Sequence, residues 1–129
     1  MIVVDASALV EALFEGPGGP LGARLLRSGE ALLAPHLIDV EVAQVVRRML
    51  GRGQIELRRA SEAMLDLADF PIARRPHTLL LPRVWELRSN LTAYDAVYVA
   101  LAEALDAPLV TRDSRLASAP GHTALVEVI

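Results

Sequence analysis

Cysteine and lysine are both missing from this chain. Without a thiol there is no disulfide, no thiolate nucleophile and no cysteine-ligated zinc. Without lysine, all 13 cationic side chains are arginine. A GC-rich genome accounts for that bias, although arginine also suits bidentate phosphate contact. Aromatic residues make up only 4%. No apolar run approaches the roughly 18 residues of a membrane span, and no basic leader precedes the first strand, so a cytoplasmic protein without membrane contact is expected. There is no glycine-rich phosphate loop and no nucleophile-elbow serine, and His36, His77 and His122 lack metal-ligand spacing.

The hydrophobic share of 53% and the mean hydropathy of +0.36 are high for a soluble chain. A single domain over residues 1–129 buries about two thirds of its unfolded surface. The apolar surplus suits a core plus an interface with another protein. A net charge of −3 argues against holding nucleic acid by bulk electrostatics. A nuclease is still allowed, because a metal centre and a few local cations can hold phosphates.

Apolar patterning predicts strands at residues 2–4, 31–33, 70–72, 109–111 and 125–128. Helices are predicted at 6–14, 21–27, 37–50, 56–67, 79–88 and 93–105, with a short turn or helix at 114–117. The Gly16-Pro17-Gly18-Gly19-Pro20 stretch is too short to separate domains and reads as a loop. Alternating strands and helices argue for an α/β fold with a mostly parallel sheet covered on both faces.

Four acids stand out against this frame. Asp5 ends Ile2-Val3-Val4, and Asp113 follows Val110-Thr111-Arg112. If those strands are parallel neighbours, their carboxyl ends open into one crevice, the usual ligand site of such a sheet. Glu41 shares an apolar helical stripe with Leu37, Ile38 and Val45, where an unpaired carboxylate costs several kcal/mol. Asp39 lies about 200° round the same helix and reads as a surface residue. Asp95 sits in Thr92-Ala93-Tyr94-Asp95, a capping-box pattern with Asp in place of Glu. Each acid has a plain alternative: helix caps for Asp5 and Asp95, a turn residue or cap for Asp113, the water-facing edge of a stripe for Glu41. Together in one crevice they would repel one another unless a cation neutralised them, and Mg²⁺ or Mn²⁺ suits oxygen ligands. Ser7 could orient Asp5 or a bound water, or simply help cap the helix, and the Thr111 hydroxyl could orient a carboxylate or bind a metal-held water. Arg112 and Arg115 are candidate phosphate contacts, whereas Arg47, Arg48 and Arg52 could touch RNA or a partner but read first as a solvated helix face.

Val3-Val4-Asp5-Ala6-Ser7, Ala34-Pro35-His36-Leu37 leading to Glu41, the run from Leu91 to Ala102, and Pro108 to Asp113 together resemble the PIN-domain ribonucleases, in particular the VapC toxins of bacterial toxin–antitoxin pairs. The resemblance implies a three-layer α/β/α sandwich and metal-dependent RNA hydrolysis. Asp5, Glu41, Asp95 and Asp113 would hold one or two Mg²⁺ ions, with Mn²⁺ as a substitute. It also implies a VapB-type antitoxin, an RNA substrate and a toxin homodimer. An antitoxin would fit a groove walled by the helices at 37–50 and 56–67. Two other readings stay open: a PIN nuclease of RNA processing outside any toxin pair, and a binding module whose carboxylates are only caps. A short overlapping upstream reading frame would favour the toxin, and measured Mg²⁺ affinity would separate the binding module from both enzymes.

Overall fold

The computed structural model describes residues 1–26 and 29–129. Its frame is a sheet of five parallel strands: β1 (Ile2–Val4), β2 (Leu32–Pro35), β3 (Ile72–Arg75), β4 (Leu109–Thr111) and β5 (Val126–Val128), in the order β3-β2-β1-β4-β5. Three central strands are buried along their full length. That is why they read as continuous apolar runs: a parallel sheet is covered on both faces. The sheet is wholly parallel, so the expected architecture holds.

The helices are α1 (Ala6–Glu15), α2 (Pro20–Leu26), α3 (Leu37–Gly51), α4 (Leu57–Asp69), α5 (Leu81–Glu86), α6 (Ala93–Leu105) and α7 (Ser114–Ser118). The chain steps outward from β1 through β2 to β3, then returns past β1 to β4 and β5. Right-handed crossovers therefore put α1 to α4 on one face and α5 to α7 on the other. The direction of winding reverses between β1 and β4, which pair directly with Val3 opposite Leu109 and Val4 opposite Val110. This is the switch point at which open α/β sheets place a ligand crevice.

Several boundaries differ from the sequence reading by one to three residues. The strand expected at 70–72 starts at Ile72 and runs to Arg75, because Pro71 has no amide for the ladder. It is an edge strand, as expected. The helix expected at 79–88 is a 3-10 turn over Thr78–Leu80 followed by α5. Pro82 at the start of α5 supplies no amide there, a position where proline is tolerated. The helix expected at 21–27 spans Pro20–Leu26, and Arg27 lies outside the described residues. Its Gly22 is required by close approach: a Cβ there would sit 2.2 Å from the Gly16 carbonyl oxygen.

In α3 the deeply buried line is Ile38, Val42 and Val46. Asp39 is more than a surface residue, since both its oxygens take hydrogen bonds from Arg74 of β3, the shortest at 2.9 Å. Helix α6 carries an unbroken buried run from Ala96 to Ala102 and packs on β1 and β2. Among the described residues no helix is long and apolar enough to cross a membrane.

Candidate metal and phosphodiester site

Asp5 leaves the end of β1 and enters α1 as its N-cap, accepting the Ala8 amide at 2.9 Å. The same Oδ1 takes the Ser7 hydroxyl at 2.6 Å, and Oδ2 takes the Thr111 hydroxyl of β4 at 2.5 Å. Cap and pocket residue are thus the same group. Thr111 is fully buried and works from beneath the site, donating to Asp5 while accepting the Asp113 amide at 2.9 Å. Ser7 accepts the Arg112 amide at 3.0 Å. These bonds tie the ends of β1 and β4 together and fix the Asp5 carboxylate.

Asp95 lies in the first turn of α6, whose N-cap Thr92 accepts the Asp95 amide at 3.2 Å. The positive end of a helix favours an ionised carboxylate there. Asp113 caps α7 by accepting the Arg115 amide at 2.9 Å, and the Arg115 guanidinium grips both its oxygens, Nη2 to Oδ2 at 2.6 Å. Glu41 stands one step round α3 from the buried line, half-buried on the same side as Leu37 and Val45. The expectation of a partly buried carboxylate holds, at the margin of the core.

Asp5, Glu41, Asp95 and Asp113 line one pocket of about 180 Å³ together with Ser7 and Tyr98. Burial pushes Asp5 above the usual carboxylate range, against the Ser7 and Thr111 hydroxyls and the Ala8 amide, and Asp95 adds repulsion. Glu41 is raised by burial, countered by Tyr98 and reinforced by Asp95 and Asp5. Asp95 is raised by burial too, with Thr92 opposing and Asp113 adding to the shift. Asp113 alone is lowered, by Arg115. The donor set is oxygen only, which fits a hard divalent cation. Among the described residues no three acidic or imidazole groups already form a closed ligand set.

Tyr98 is the site residue that sequence reasoning missed. Buried to 2% exposure, it donates its hydroxyl hydrogen to Glu41 at 2.6 Å. One signal pointed to it: it follows Asp95 by three positions and so shares its helix face. The two candidate phosphate arginines have protein partners. Arg115 holds Asp113, and Arg112 donates to the Ile129 carbonyl at 2.6 Å. A hollow lined by Asp39, Met64 and Arg74 lies between α3, α4 and β3, but it is on the side of α3 away from Glu41, so it is not the groove beside Glu41 that was expected between the two helices. A second groove of about 440 Å³ runs from Glu41 past Val45 to Arg48 and Tyr94.

The PIN domain family model matches residues 2–121. The chain is 41% identical over 129 residues to Ribonuclease VapC12 of Mycobacterium tuberculosis, covering 100% of this chain and 99% of that protein. It is 43% identical over 129 residues to Ribonuclease VapC1 of the same species, covering 98% of this chain and 96% of that one. Among solved structures, VapBC2 from Rickettsia felis, crystallised with a DNA fragment from its promoter, superposes with a TM-score of 0.70 at 16% identity, over 99% of this chain and 98% of that one.

Proposed function

The chain belongs to the PIN-domain family, among its VapC ribonucleases, and from that premise we propose that it is a Mg²⁺-dependent endoribonuclease, the toxin of a toxin–antitoxin pair acting in the cytoplasm. The observation that carries this reading is the shared pocket: Asp5, Glu41, Asp95 and Asp113 come from four separate elements and line it together.

Those four residues would hold the cation, with Mn²⁺ as a substitute. The chemistry supplied by bound Mg²⁺ is polarisation of the phosphodiester, activation of a water for in-line attack on phosphorus, and stabilisation of the leaving 3′ oxygen. The protein's own contribution is orientation. Ser7 and Thr111 fix the two Asp5 oxygens. Tyr98 occupies Oε1 of Glu41, which leaves Oε2 free for the pocket. Arg115 keeps Asp113 ionised where its neighbours are pushed toward protonation. Arg112 and Arg115 are both exposed, and each keeps guanidinium N–H groups beyond those its present partner takes, so a phosphate could be held without releasing that partner.

The inhibitory partner in this reading is a small VapB-type antitoxin that covers the crevice; the Rickettsia felis neighbour was solved as a VapBC assembly. Val45 lines both pocket and groove, so Val45→Arg should weaken the hold of such a partner. A homodimer of the free toxin belongs to the same reading, with exposed Leu79, Leu81 and Trp85 as an apolar face, and light scattering checks it. Induced expression of the intact chain followed by sequencing of RNA ends tests the function. Growth arrest with new, discrete RNA ends, both absent with Asp5→Asn, is the expected result. Harmless expression with an unchanged RNA population argues against it.

A further inference from the structure

The groove beyond Glu41 carries an unusual pair of side chains. Tyr94 stands immediately before Asp95, is 62% exposed, and makes no hydrogen bond or ring contact among the described residues. The chain has few aromatics, and the others are engaged or partly buried. Tyr98 is in the core, Arg59 covers Phe14 at 4.7 Å and Arg88 covers Trp85 at 4.8 Å, and Phe70 packs partly against the core. Arg48 lines the same groove, and its guanidinium has no partner among the described residues. It follows Glu41 by seven positions, about 10 Å along the helix on the same side.

An exposed ring face, an uncommitted guanidinium and a cluster of acids in line are the components of a track for single-stranded nucleic acid. The ring stacks a base of any identity, and the cation holds the backbone. A base can lie on Tyr94 only if it is splayed out of a helix, so the track selects unpaired RNA. We propose that an unpaired RNA segment leaves the acid pocket through this groove, with the base next to the scissile phosphate stacked on Tyr94 and a following phosphate held by Arg48. The inference rests on the ribonuclease reading and assigns two residues outside the acid pocket, Tyr94 and Arg48, to holding the RNA.

The test is fluorescence anisotropy of a labelled, random-sequence single-stranded RNA in Ca²⁺, with the chain purified free of any co-expressed protein. Tyr94→Ala should weaken binding by about fivefold or more, the low end of what one stacked base contributes, while Tyr94→Phe and Tyr94→Trp retain it. Arg48→Gln should weaken binding less and flatten its salt dependence by about one phosphate contact. Leu65→Ala, which removes an exposed apolar side chain lining neither pocket nor groove, should change nothing. A fixed-sequence duplex should bind more weakly than either of its single strands.

Wild-type affinity in Tyr94→Ala overturns the proposal, as does equal loss in Tyr94→Phe or equal binding of the duplex. Unchanged RNA binding in Tyr94→Ala, with weaker hold of a co-purifying protein, assigns the ring to that protein instead. Cleavage of the same RNA in Mg²⁺ is read separately. Wild-type chain that binds through Tyr94 but cuts nothing sinks the ribonuclease reading and leaves the track standing. Cutting with Tyr94-independent binding does the reverse.

Discussion

Tyr98 of α6 donates its phenolic hydrogen to Glu41 of α3 at 2.6 Å, a bond that spans the acid pocket both residues line. It opposes the effect of burial on Glu41 and helps keep that carboxylate ionised. Burial first, and then the same bond, push the Tyr98 hydroxyl well above its usual range, which favours the neutral, donating form. A core tyrosine thereby sets the position of a surface-accessible acid.

Tyr98→Phe should leave the fold intact at a cost of about 1 kcal/mol, the worth of one ordinary hydrogen bond. Its larger effect falls on the cation. Losing a group that orients a metal ligand typically weakens binding about tenfold or more. Calorimetric titration with Mg²⁺ reads this directly. Unchanged affinity would mean that the tyrosine only fills space.

Thr111→Val keeps the shape but removes a hydroxyl that donates to Asp5 and accepts from the Asp113 amide. Because Thr111 is fully buried, both partners are left short of a bond, and a loss of about 1–3 kcal/mol is expected in denaturant unfolding. Thr111→Ser should recover most of it. If valine proves as stable as threonine, the hydroxyl does not hold the two strand ends together.

Without metal, stability should depend on pH with a definite sign. Asp5, Glu41 and Asp95 have folded-state pKa values raised mainly by burial, so the native chain binds their protons more tightly than the unfolded chain does. Stability is then highest on the acid side of their folded-state values and falls as pH rises through them. Asp113 runs the other way: lowered by Arg115, its contribution is lost only as pH drops below the ordinary carboxylate range. Mg²⁺ should restore the melting temperature at neutral pH because it binds only the assembled acids. Glu41→Gln should raise the metal-free melting temperature, flatten the fall with pH and shrink the Mg²⁺ shift. Melting curves that ignore both pH and Mg²⁺ would place the four acids in independent surroundings.

Asp5 and Asp113 were legible in the sequence because each marks a switch from apolar strand to polar turn. Adjacency of β1 and β4 turns those two local signals into one crevice. Glu41 was legible through its apolar neighbours, although the line through Ile38, Val42 and Val46 is the buried one and Glu41 stands beside it. Tyr98 was hidden because a tyrosine in an Ala- and Val-rich helix reads as core, and its hydroxyl acquires a role only through a residue 57 positions away. Arg48 read first as solvated face, with contact to RNA or a partner as the alternative, for the same reason: nothing in α3 shows that Tyr94 lines the same groove. The break between the 3-10 turn and α5 was written in Pro82, and the start of β3 in Pro71. Residues whose role is fixed by their own element could be read from the chain, and those defined by a partner on another element could not.

The central claim is that the pocket of Asp5, Glu41, Asp95 and Asp113 cuts RNA with Mg²⁺. It is tested most directly by following RNA cleavage by purified chain across a Mg²⁺ titration, beside Asp95→Asn of the same fold. Cleavage that rises with Mg²⁺, vanishes in EDTA and drops about 10²-fold or more in Asp95→Asn is the predicted result. Near wild-type cleavage by the folded Asp95→Asn chain, or cleavage that persists in EDTA, would contradict the account.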